Sequence, residues 1–277
     1  MDSTISIASQ QSLGLRRFAT KALRAAAGTW FVTAVIGQLI FVYYLLGLYG
    51  RGALRGDFEV LSKVMPHGYV PGDTFGNLAV FAHVLLAVVV TLGGALQLTP
   101  QVRNRFPAFH RWNGRVYLTV VVATSLIGLY MVWFRGSVGD LSQHLGISLD
   151  AVLILAFSAL ALRTAMNRKL ADHRRWALRL FLVSSAVWFF RISLMFWLVI
   201  NQGPAGFDPD TFTGPFLTFL SFADYLIPLA VLEIYFYARE RGETPAKMAA
   251  AAALFVLTLA MSIGILAATM LMWLPRV

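Results

Sequence analysis

Seven long apolar runs, separated by short polar connections, dominate the chain, at roughly 29–49, 77–98, 115–134, 145–165, 177–200, 216–238 and 249–273. At about 1.5 Å rise per residue, a helix of about 20 residues crosses the roughly 30 Å hydrocarbon layer of a bilayer. The runs are nearly continuous and lack the short alternation of barrel strands, which leaves helices as the spanning elements. The predicted fold class is all-α: a polytopic integral membrane bundle of seven transmembrane helices, forming a single membrane domain over 1–277. Two longer connections stand out. Residues 50–76 carry Gly, Pro and mixed charge, and residues 201–215 carry Asn201, Gly203, Pro204, Gly206, Pro209 and Gly214. Both read as external loops, the first as a cap or re-entrant structure.

Composition agrees: 58% of residues are hydrophobic, 13% are charged and the mean hydropathy is +0.69. The net charge of +10 matters through its distribution. With the N-terminus in the cytoplasm, seventeen Lys and Arg lie inside, from Arg16 to Lys247. Only Arg51, Arg55, Lys63, Arg135 and Arg276 lie outside. This bias predicts a cytoplasmic N-terminus and a periplasmic C-terminus in a multi-pass protein of the bacterial inner membrane. The basic groups are divided among short juxtamembrane loops, so they argue for anionic lipid headgroups as partners and against nucleic acid. The first 28 residues are polar and partly amphipathic with no small-residue cleavage signal after the first run, as in a retained signal anchor. Absence of cysteine excludes disulfides, thiolate metal sites and cysteine nucleophiles. No lysine stands in a span, which excludes a retinal-type Schiff base.

The candidate chemistry lies in histidines and buried charges. His83 stands about six residues into the second span from outside, roughly 9 Å down the axis, and His144 at the outer start of the fourth. At the opposite face His110 precedes span three and His173 precedes span five. His83 with His144 and His110 with His173 are therefore candidate metal-ligating pairs, one near each leaflet boundary, of the kind six-coordinate haem iron uses for one-electron exchange. Plain interfacial histidines are the competing reading, and His67 reads as solvated. Asp150, Arg191 and Asp224 fall at about the depth of His83. An interior cluster of the three is the economical arrangement, either as part of a cofactor site or as a lock between spans four, five and six. Arg191 is a candidate for a haem propionate or a quinone oxygen. Trp188, with Phe189 and Phe190, reads as a pocket wall or as core. Glu233 is expected to reach Arg179 or Arg163. Asp208-Pro209-Asp210 is at most a weak hard-cation site.

The segment His110-Arg111-Trp112-Asn113-Gly114-Arg115-Val116-Tyr117, with Asp172-His173-Arg174-Arg175-Trp176 and Arg179, resembles bacterial membrane proteins grouped as domain of unknown function 2306, over approximately residues 75–200. That resemblance implies a multi-span architecture and no particular activity. A more remote similarity is to cytochrome b561-type proteins, in which helices two to five supply paired haem-ligating histidines. His110 with Trp112 is similar to their histidine-x-tryptophan element, which would make His173 its partner and His83 with His144 the other pair. The chain departs from that pattern in placing His110 and His173 near the aqueous boundary and in lacking an ascorbate-binding signature.

Three functions follow as expectations. The first is a b-type haem protein passing electrons between a quinone or small reductant and an acceptor, with haem b and quinone as cofactors. The second is a cofactor-free accessory subunit that meets a partner protein of a respiratory or photosynthetic membrane complex. The third, a small-molecule or ion transporter, is disfavoured because no span is broken by proline and no inverted repeat is visible. No catalytic residue stands out. For topology, a single cysteine introduced in the 135–143 loop should label from the periplasmic face, and one in 101–109 should not. The reverse pattern overturns the orientation.

Overall fold

The computed structural model of the protein describes residues 2–65, 67–136 and 139–277, with side chains from residue 13 onward. Two residues of the 135–143 loop, 137 and 138, lie outside the described residues. Helix α1 (Asp2–Leu45) continues through a π-helical turn (Leu46–Gly50) into the short α2 (Arg51–Arg55). Then follow α3 (Thr74–Leu98), α4 (Pro100–Arg105), α5 (Pro107–Phe134), α6 (Leu141–Met166), α7 (Leu170–Ser184), α8 (Ala186–Asn201), α9 (Pro215–Glu240) and α10 (Thr244–Ala267). Helix starts carry their usual chemistry. The Asp73 carboxylate accepts from the Gly76 N–H at 2.9 Å at the head of α3, and Asp140 accepts from the Gln143 N–H at 3.1 Å at the head of α6. Proline opens α5, α9 and α10, where its missing N–H costs nothing. Among the described residues there is no β-structure beyond an isolated bridge between Asp208 and Thr213.

Six helical runs are each long and apolar enough to cross a bilayer, and α7 with α8, which meet at a bend of 52°, make seven when the pair is counted as one span. The packing has two parts. Helices α3, α5, α6 and α7 contact one another in ring order, α3 to α5 to α6 to α7 and back to α3. Helices α1, α10, α8 and α9 form a second row, joined to the ring where α1 meets α3 and where α9 meets α6 and α7. The bent span belongs to both, because α7 packs chiefly on α6 and α8 chiefly on α10. Gly146 sets the α6–α9 approach: a Cβ there would lie 2.7 Å from the Ser221 carbonyl oxygen.

The expectation of one straight helix over 177–200 is thus corrected. Ser184 and Ser185 stand at the bend, where serine hydroxyls compete with backbone donors for helix carbonyls. The Ser185 hydroxyl donates to the Phe181 carbonyl at 2.7 Å and accepts from the Gln38 side chain of α1 at 3.0 Å. Ser184 pairs with the Tyr117 hydroxyl of α5 at 2.7 Å. Neighbouring helices therefore supply the polar partners that a bend inside hydrocarbon requires. A second correction concerns proline, since Pro228 stands inside α9.

At the end of the bundle where α3 and α6 begin, Arg135 organises the long connection before α3. Its guanidinium, whose side chain is 6% exposed, donates to the carbonyls of His67 and Gly68, to Asn77 and to Asp73. Asn77 in turn bonds both the N–H and the carbonyl of Val70. One planar cation with five donors thereby satisfies four acceptors from three directions, which a lysine ammonium cannot do. Arg135→Ala should cost roughly 2–4 kcal/mol and expose the 56–73 segment to protease, with Arg135→Lys nearly as damaging. Thermal melts alongside Arg55→Ala check this, and equal melting of the two alanine variants would contradict it.

Candidate functional site

Each ring helix carries one of the four candidate histidines. His83 on α3 directs Nδ1 to the Thr124 carbonyl of α5 at 3.0 Å, and its ring lies where a Cβ on Gly128 would be 3.3 Å from it. His173 on α7 directs Nδ1 to the Ala161 carbonyl of α6 at 2.9 Å. A carbonyl only accepts, so both rings carry a proton on Nδ1, which in the neutral ring leaves Nε2 as the bare nitrogen. This is the tautomer a metal-binding imidazole adopts when its second nitrogen is anchored to backbone.

His110 and His173 lie close enough to interact electrostatically. The His110 carbonyl accepts from Gln97 at 2.9 Å, whereas its Nδ1 is buried without a hydrogen-bond partner. One turn further along, Asn113 donates to the Gly93 carbonyl of α3 at 3.0 Å. His144 on α6 lies edge-on to Trp133 of α5 with centroids 6.0 Å apart, and its carbonyl accepts from Ser148, which receives the Trp133 indole N–H. His83 and His144 therefore both lean on α5.

The buried charges separate instead of clustering. Asp150 on α6 and Asp224 on α9 are buried, close enough to interact electrostatically, and each has an Oδ1 without a hydrogen-bond partner. Arg191 turns the other way. Its guanidinium lies 5.4 Å from the Phe41 ring centroid of α1, donates to the Val187 carbonyl at 3.1 Å, and is in electrostatic range of Tyr44, Tyr49 and His83. The expected convergence of Asp150, Arg191 and Asp224 is corrected: the bend at Ser185 sets the azimuth of α8 independently of α7, and Arg191 turns to α1. A flat cation finds in Phe41 an aromatic face that repays part of its desolvation.

Trp188 is 3% exposed, with an unpartnered indole nitrogen, and packs near Gly37 of α1 and edge-on to Phe189. Glu233 pairs with Arg179 at 2.7 Å, one of its two expected partners, and Arg179 stacks over Trp176. In the loop, the Asp208 carboxylate accepts from the Asp210 N–H at 2.8 Å, and that bond holds its carboxyl below the usual carboxylate range. Among the described residues no group of three or more metal-ligating side chains occurs.

Sequence reasoning missed a cavity of about 610 Å³ among α1, α7, α8, α9 and α10, lined by Asp224 and Pro228. The signal was present as a stripe along α9 at helical spacing, from Phe216 to Tyr235, that lines this cavity.

A double-mutant cycle on thermal stability reads the separation of charges. Arg191→Ala and Asp224→Asn should be additive within about 0.5 kcal/mol, while Asp150→Asn and Asp224→Asn should couple by more than that. Strong coupling of Arg191 to Asp224 would restore the three-membered cluster.

Residues 80–227 match the family described as "Predicted membrane protein (DUF2306)". No curated protein and no solved structure matches the chain significantly.

Proposed function

The chain belongs to the DUF2306 family, and on that premise we propose that it is a b-type haem protein of the bacterial inner membrane, carrying electrons between a quinone or small reductant and an acceptor. The observation that supports this reading is the ring order of four helices with one histidine each. His83 and His144 stand on opposite members of the ring, α3 and α6, and His110 and His173 on the other opposite pair, α5 and α7. All four lie in the matched region.

Two of the four histidines carry the donor chemistry the group needs. Two imidazoles per iron, with Nε2 free and Nδ1 anchored on a carbonyl, are the donor set of a low-spin haem, and His83 and His173 have that anchoring. The buried Nδ1 of His110 lacks a partner, and Gly128 lets the His83 ring pack closely on α5. Haem b, when bound, supplies reversible one-electron exchange at iron. The chain's own part is to hold the imidazoles, exclude water with apolar helix faces, and set a cation, Arg191, in electrostatic range of His83, where it favours an anionic substituent of the group.

Protein purified from haem-replete cells should show a Soret band that sharpens on reduction. His83→Ala and His173→Ala should each remove about half of its intensity, since each breaks one of two pairs. A colourless preparation without iron defeats the reading. It would move weight to transport, for which the specific observation is the broken α7–α8 span beside a buried carboxyl pair.

A further inference from the structure

One face of helix α9 borders a cavity between it and the helices opposite, α1, α8 and α10. Phe216, Leu220, Asp224, Ile227, Val231 and Tyr235 recur at helical spacing along it, and all line the 610 Å³ cavity. At about 1.5 Å per residue the stripe extends roughly 30 Å, nearly the thickness of the hydrocarbon layer. So small a volume spread over such a length is a narrow groove with width for one extended chain. Its opposing walls are apolar and aromatic, with Trp30 and Phe31 from α1 and Phe189 and Phe196 from α8. The stacked rings of Trp197 and Phe216, 4.3 Å apart, stand at the end where α9 begins.

Besides Ser193 of α8 and Arg239 near the end of α9, this apolar groove has a carboxyl group among its walls. Asp224 lines it, is 9% exposed, and has an Oδ1 buried without a hydrogen-bond partner. Four residues on, Pro228 also lines the groove. Proline has no N–H, so the Asp224 backbone carbonyl loses the i→i−4 donor that every other carbonyl in the middle of a helix receives. Two acceptors at one residue, about 14 Å from the start of α9, therefore look for a donor in hydrocarbon, where water is absent.

We propose that the groove along α9 is a lateral binding site for an isoprenoid quinol, with a quinol hydroxyl donating to Asp224. A phospholipid does not meet this chemistry, because its headgroup stays at the interface and its acyl chains bring no donor to mid-depth. A quinol has all three matching parts: an apolar chain for the groove, a flat ring for its aromatic walls and a hydroxyl that enters the hydrocarbon. Asp150, in electrostatic range of Asp224, extends the carboxyl pair from the groove toward the histidine-bearing ring. From the electron-transfer reading this inference takes only the chemical class of the occupant.

The test is a melting-temperature titration of the purified full-length protein with a decyl-chain benzoquinol kept reduced, with dioleoyl-phosphatidylglycerol as competitor. Wild type should gain thermal stability saturably. Asp224→Ala should weaken the apparent affinity roughly tenfold or more, the loss expected for one buried hydrogen bond to a carboxyl group. Ile227→Trp, which fills the groove from its more exposed side, should abolish the shift. Absence of a saturable shift in wild type overturns the proposal, as does an unchanged affinity in both variants or equal displacement by the phospholipid. Should either variant not fold, the wild-type titration and the other variant decide. The readout is independent of colour: a colourless protein that binds quinol defeats only the haem reading, and a red one that does not bind defeats only this one.

Discussion

A helix that bends inside hydrocarbon must find hydrogen-bond partners other than water, and in this protein the bend at Ser185 finds them in Gln38 of α1 and Tyr117 of α5. The arrangement of the bundle depends on that solution. Because the bend is supported from both sides, one span serves two groups of helices, its first half closing the ring of α3, α5 and α6 and its second half packing on α10. A straight helix would have to choose one group. The groove along α9 borders both halves of this span, with Leu178 and Phe181 from α7 and Phe189 from α8 among its walls.

The same bend governs the charges. Arg191 stands only six residues after Ser185, within α8, so its direction is set by α8 and not by α7. It stacks on Phe41 among tyrosines, while Asp150 and Asp224 meet on the far side without a cation. Buried ion pairs save little in stability relative to well-packed apolar groups, and burying charges apart is more expensive still. Segregation of this kind removes the ion pair that would have locked spans four, five and six together.

At the end where α3 and α6 begin, Arg135 does for a loop what Ser185 does for a helix. The connection before α3 contains carbonyls that no regular structure satisfies, and one guanidinium gathers those of His67 and Gly68 together with Asp73 and Asn77. In the sequence Arg135 looked like any of the five basic residues assigned to the external side. Nothing local marks it, because its four acceptors lie 58 to 68 positions earlier in the chain.

The sequence by itself determined the helical class, the seven apolar runs, the depth of each buried charge and the assignment of histidines to opposite ends. All of these follow from hydropathy and a fixed rise per residue, which are properties of a segment alone. It also contained Pro228 four residues after Asp224, a local signal that an unbroken apolar run concealed. Azimuth and neighbourhood came from packing: His83 and His144 both rest on α5, Arg191 turns to α1, Glu233 takes Arg179, and one face of α9 borders a cavity. Rotation about a helix axis is chosen by the surfaces packed against it, and in a bundle where nearly every face is apolar no single stripe announces which side will be inside.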